Sequence, residues 1–193
     1  MTRTMIALYD DLDDARATVE ALVENGFDRA SISLCRRDPR AEEPLVEHEA
    51  VSEHVVESAE RGALVGGAAG LLAGVASLFI PGVGAAIAVG PLVSALTGTA
   101  VGAGAGALVG SLVGMGVDEG EADSYAEAVR RGGTLVAVRV ADERWAEADD
   151  ILEQRHPVDI GMRAADWRAQ GWVRFDPDAK PFPLPETRSR REQ

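Results

Sequence analysis

The chain has 193 residues carrying 19 basic and 32 acidic side chains, a net charge of −13 and one cysteine. That length suits one ordinary domain with room for an added element. The charge excludes nucleic acid as a partner, because affinity for a phosphate backbone comes from Lys and Arg releasing counterions, and a lone Cys35 excludes a disulfide framework or cysteine-rich zinc site and fits a reducing compartment.

Residues 4–9 (TMIALY) form a short apolar run followed by Asp10, Asp11, Asp13 and Asp14, the pattern of a strand leading into a capped helix. Leu12, Ala15, Val19, Leu22 and Val23 give a helix over 12–24 one apolar face, and Gly26 ends it. Residues 31–35 (SISLC) alternate as a half-buried strand does, so residues 1–40 read as a β-α-β half. Residues 41–61 then read as an acidic lead-in helix opened by Pro44, with Val46, Val51 and Val55 partly covered.

A second material begins at Gly62. From there to Val117 no Asp, Glu, Lys, Arg, His, Asn or Gln occurs, and 15 of the 21 glycines fall in that run. Gly62, Gly66, Gly70 and Gly74 form one series in steps of four, and Gly98, Gly102, Gly106, Gly110 and Gly114 form another. A step of four keeps residues on one helix face, leaving a flat stripe along which another backbone can approach closely. Pro81, Gly82 and Gly84 supply a turn between the two series. Residues 62–117 therefore read as a glycine-zipper helical hairpin with arms over 62–79 and 91–117, about 27 and 40 Å long. Either arm matches a hydrocarbon core of about 30 Å, the first barely, but mean hydropathy lies near the threshold and Asp118, Glu119 and Glu121 flank the second end. Interior glycines cost about 1 kcal/mol each relative to alanine unless packing compensates, so some surface must cover the stripes. Three coverings stand open: membrane lipid around a self-packed hairpin, a second copy of the chain, or the two arms against one another.

The order resumes as before over residues 118–163. Residues 118–131 read as a helix with an acidic first turn and a basic last turn, stopped by Gly132 and Gly133. Residues 134–140 (TLVAVRV) form a strand, Trp145, Ala148, Ile151 and Leu152 mark a helix, and residues 157–162 supply a last short strand. Two β-α-β halves combine most simply as a four-stranded antiparallel sheet with two helices on one side. The expected fold is thus α+β: a ferredoxin-like sheet module interrupted by the hairpin.

In residues 164–193, Trp167, Trp172 and Phe175 lie among arginines, four prolines follow, and Arg188, Arg190 and Arg191 close the chain with a basic end suited to anionic lipid. The aromatics either fold back over the protein's own sheet or bind a protein partner. No catalytic or metal site is expected. Asp10 to Asp14 lack the glycine and distant glutamate of a calcium loop, His48 and His54 are wrongly spaced for zinc, and His156 has no nucleophile partner. Cys35 beside Arg36 and Arg37 reads either as a structural thiol or as a redox thiolate. The glycine-rich stretches lack phosphate-loop endings, so no cofactor is expected.

Leu8-Tyr9-Asp10-Asp11, Gly26-Phe27, the glycine stripes around Ile80-Pro81-Gly82, and Arg131-Gly132-Gly133 before a strand together resemble the bacterial heat-induced general stress protein family, the YflT-like domain, over residues 3–163. None of these motifs is catalytic, and the resemblance implies a stress-linked protein without assignable catalytic residues. The expectation is a non-enzymatic, homo-oligomeric or membrane-associated cytoplasmic protein with both hairpin ends in the cytosol. A soluble oligomeric scaffold or small-ligand-binding regulatory module is the alternative.

Overall fold

A computed structural model of the protein describes residues 1–38, 76–80, 82–97, 106–180 and 182. Within them the fold is mixed α and β. Strand β1 (Thr2–Tyr9) leads into helix α1 (Leu12–Glu24), whose first turn is capped by the Asp11 carboxylate accepting from the Asp13 N–H at 2.8 Å. After Asn25 the chain turns at Gly26 with φ +78°, and the Phe27 N–H returns to the Leu22 carbonyl at 3.0 Å, closing the helix where the sequence places its end. Strand β2 (Ile32–Arg37) follows.

Strands β3 (Ala76–Ile80) and β4 (Gly84–Val89) come next, then helices α2 (Pro91–Thr97), α3 (Ala107–Gly114) and α4 (Glu119–Arg130). Strand β5 (Thr134–Ala141) and helices α5 (Trp145–Glu153) and α6 (Ile160–Ala169) complete the order. The strands form one antiparallel sheet in the order β1-β5-β2-β4-β3.

In that sheet β5 lies between β1 and β2. Two features correct the ferredoxin-like expectation. Residues 157–162 do not form a fourth strand beside β1. Instead the Asp159 carboxylate caps the Met162 N–H at 2.9 Å and α6 begins, while a single rung of the missing strand survives, from the Val158 N–H to the Leu8 carbonyl at 2.7 Å. The helix wins because Ile160, Ala164 and Trp167 recur at spacings of four and three, placing one apolar face on the core.

The second correction concerns the hairpin. The turn lies where Gly82 and Gly84 place it, with φ of +77° and +95°, although Pro81 is outside the described residues. The described end of the first arm, residues 76–80, is strand rather than helix, and residues 84–89, between the two expected arms, form its partner, in register from Ile80↔Gly84 to Ala76↔Ala88. Strand β4 pairs with the free edge of β2, Leu34↔Val89 through Arg37↔Ala86, so backbone groups that a helical hairpin would leave unbonded on β2 are satisfied. The second arm is also interrupted: Gly106, with φ +89°, is the N-cap of a separate α3. Among the described residues no helix is long and apolar enough to cross a membrane.

Alternation along the strands divides the interior into two cores. Met5, Ala7, Tyr9, Val136, Val138 and Val140 face α1 and α5, where they meet Ala15, Val19, Leu22, Ile151 and Leu152. The other face places Leu8, Cys35, Ala88 and Leu135 against α2, α3, α4 and α6. Ile80, Leu108 and Trp167 share that second core, so residues from the uncharged run are built into the sheet module rather than standing apart from it. Gly90 makes the junction possible: its φ is +84°, and a Cβ there would lie 2.1 Å from the Ile32 carbonyl oxygen. The Ser33 hydroxyl then accepts from the Leu92 N–H at 3.1 Å, fixing the start of α2 over β2.

Candidate interaction surfaces

Of the two glycine series, Gly62, Gly66, Gly70, Gly74, Gly98 and Gly102 lie outside the described residues, and Gly106, Gly110 and Gly114 fall within them. Helix α3 buries Ala107, Leu108, Ser111 and Leu112, packs a half-buried Val109 against the same core, and exposes Val113 and Gly114. Val113 keeps 42% of its surface, Gly114 is exposed, and a Cβ added to Gly114 would meet nothing within 4 Å. Gly110 and Gly114 thus lie one turn apart on α3, while Gly106, with φ +89°, stands outside the helix as its N-cap.

That side borders a groove of about 270 Å³ between α2 and α3, lined by Pro91, Ala95, Gly110, Ser111, Gly114 and Met115, with the exposed Arg139 of β5 beside it. Two of its polar groups are committed to hydrogen bonds. The Ser111 hydroxyl donates to the Ala107 carbonyl at 2.6 Å, and the Thr4 hydroxyl donates to the Met115 carbonyl at 2.8 Å. Apart from Arg139, what remains is a small-residue surface suited to close approach by another backbone.

The C-terminal aromatics lie elsewhere. Trp167 and Phe175 are buried in the core beneath α4, and Trp172 is half-buried, its ring edge-to-face with Trp167 at 5.8 Å and 76°. Their seat is built by a cluster at the end of α4. The fully buried Glu127 carboxylate accepts from Arg130 at 2.7 and 2.8 Å and from Arg131 at 2.6 Å. Held this way, the Arg131 guanidinium lies 4.8 Å over Trp167 and 4.9 Å over Phe182, and Arg130 lies 5.6 Å over Phe182. Arg130 also donates to the Lys180 carbonyl at 3.2 Å, and Arg37 donates to the Phe182 carbonyl. Burial and the neighbouring Arg130 charge lower the Arg37 pKa. Of the two readings of the tail, its aromatics pack on the protein's own body. The spacing Ile160, Ala164, Trp167 was the available signal.

Cys35 sits fully buried on the inner face of β2, where burial pushes its thiol from 9.0 up to about 12. The neighbouring arginines do not offset that burial, so the side chain is a packed structural thiol rather than a thiolate. The acidic run after β1 acts locally: Asp11 caps α1, and Asp10 pairs with Arg163 of α6 at 2.9 Å. His156 occupies a turn with φ +49°. Among the described residues no group of three His, Cys, Asp or Glu side chains is placed to hold a metal ion.

No protein-family model, curated protein or solved structure gives a significant match to this chain.

Proposed function

We propose that this chain is a non-catalytic, self-assembling bacterial stress protein of the cytoplasm whose copies meet across the small-residue groove between α2 and α3. The observation that carries the reading is Gly114: it lies with Gly110 along a groove, beside an exposed Val113, and a Cβ added to it would meet, among the described residues, no atom within 4 Å beyond its own chain neighbours and helix backbone. Two glycines one turn apart on an exposed helix weaken that helix by about 1 kcal/mol each relative to alanine, a cost that close packing by a second backbone offsets. Protein-to-protein packing is favoured over membrane insertion by the break at Gly106 and by the place of β3 and β4 in the sheet. The stress role rests on the family resemblance of the motifs in residues 3–163.

The test is hydrodynamic and thermal together. Gly114→Leu adds a bulky apolar side chain into open space on one molecule but blocks approach of a second. Assembly size falls while the melting temperature of the subunit holds or rises. Unchanged assembly in both Gly110→Leu and Gly114→Leu would remove the groove from the account.

A further inference from the structure

Among the described residues, nothing fills the place beside β1 that a fourth strand would take. β1 is an edge of the sheet, and its full length from Thr2 to Tyr9 is paired on one side only, with β5. The groups facing away from β5 are identified by what already reaches them: the Val158 N–H donates to the Leu8 carbonyl at 2.7 Å, and the Tyr125 hydroxyl lies 3.5 Å from the Ile6 carbonyl. Outward direction repeats every second residue along a strand, so the Thr4 N–H and carbonyl and the Ile6 N–H point the same way. Among the described residues no backbone bond outside the ladder engages them.

These groups floor a cleft of about 330 Å³ between the two helical layers. Asp118, Glu121 and Tyr125 form one wall, and Trp145 and Asp149 form the other. Of the cationic groups nearby, Arg3 is committed, donating to Asp142 at 2.8 Å and lying 4.1 Å over the Trp145 ring. The cleft therefore offers an unpaired strand edge, an aromatic ring on each wall and carboxylates on both sides.

We propose that this edge captures an extended, basic peptide segment of a partner protein as an added strand. Main-chain bonds to Thr4 and Ile6 continue the ladder that Val158 starts at Leu8. Side chains of an added strand alternate between the two walls, so arginines or lysines at one parity meet Asp118 and Glu121, and those at the other meet Asp149. An acidic peptide is rejected by the carboxylates, and a folded basic surface cannot reach the strand edge between the helices.

The experiment is fluorescence anisotropy on the full chain with a labelled short peptide of alternating valine and arginine, with amide hydrogen exchange as the second readout. Saturable binding is expected, together with slowed exchange at the Thr4 and Ile6 amides. N-methylating the peptide at alternate residues removes its ladder donors and weakens binding by about tenfold or more, as does Glu121→Gln combined with Asp149→Asn. Equal binding of the methylated peptide, or binding without protection at Thr4 and Ile6, would reduce the effect to general attraction by an acidic chain and overturn the proposal. So would absence of binding. Tighter binding by a peptide carrying residues 184–193 would assign the slot to the chain's own basic end and overturn the partner reading.

Discussion

Replacing Glu127 by alanine removes the carboxylate that Arg130 and Arg131 both bind. Glu127 is fully buried, Arg130 and Arg131 keep 14% and 24% of their side-chain surface, and the distances to Glu127 are 2.7 and 2.6 Å. Breaking a buried ion pair by deleting one partner costs about 3–5 kcal/mol, because the other charge is left uncompensated. Partial exposure of both arginines lets water reach them, so the lower end, about 3 kcal/mol, is expected for Glu127→Ala. For a chain of this size that lowers the melting temperature by about 6–12 °C. Glu127→Gln keeps the volume and one acceptor and is expected to cost about half as much. Urea unfolding followed by tryptophan emission measures both at once, since Arg131 lies over Trp167 and its release changes the ring's surroundings. A loss below about 1 kcal/mol in Glu127→Ala, with native tryptophan emission, would show that the carboxylate does not organise the cluster that seats the C-terminal residues.

Three further outcomes follow from the same geometry. Gly90→Ala forces a side chain into a left-handed backbone conformation 2.1 Å from the Ile32 carbonyl, so it is expected to cost more than about 2 kcal/mol in chemical denaturation; a near-native midpoint would contradict the junction of β4 and α2. Cys35 is expected to resist thiol reagents at neutral pH until the protein unfolds, and reaction at a free-thiol rate would refute its burial. Its folded pKa is raised, so the folded state holds the proton that the unfolded state loses above about pH 9, and stability falls as pH rises from 9.0 toward about 12. Tyr9 and Tyr125, both shifted upward chiefly by burial, add to that alkaline loss, so Cys35→Ala is expected to make the decline shallower without abolishing it.

The legible parts of the sequence were those in which one local pattern had one structural solution. Asp11 capping α1, Gly26 closing it, and the run Thr134 to Val140 forming β5 belong to this class. The uncharged run was different, because Gly and Ala carry almost no periodic signal. Residues 84–89 (GAAIAV) fit a helix face and a strand equally, and what decides between them is the open edge of β2, a partner distant in sequence. Ile160, Ala164 and Trp167 show the opposite error: the helical spacing was present, but ending the element at Met162 cut it in two and left a strand in its place. The candidate site was legible only at α3, where the glycine spacing places Gly110 and Gly114 beside the groove. That α2 would form the other wall depends on the turn at Gly90, which no local pattern announces.

Sedimentation velocity of the full-length protein across a dilution series tests the proposed assembly most directly. A discrete oligomer is expected that dissociates to subunits on dilution, and at higher concentration when Gly114 is replaced by leucine. A subunit that sediments as a monomer at every concentration, or an oligomer whose dissociation is indifferent to Gly114, would contradict it.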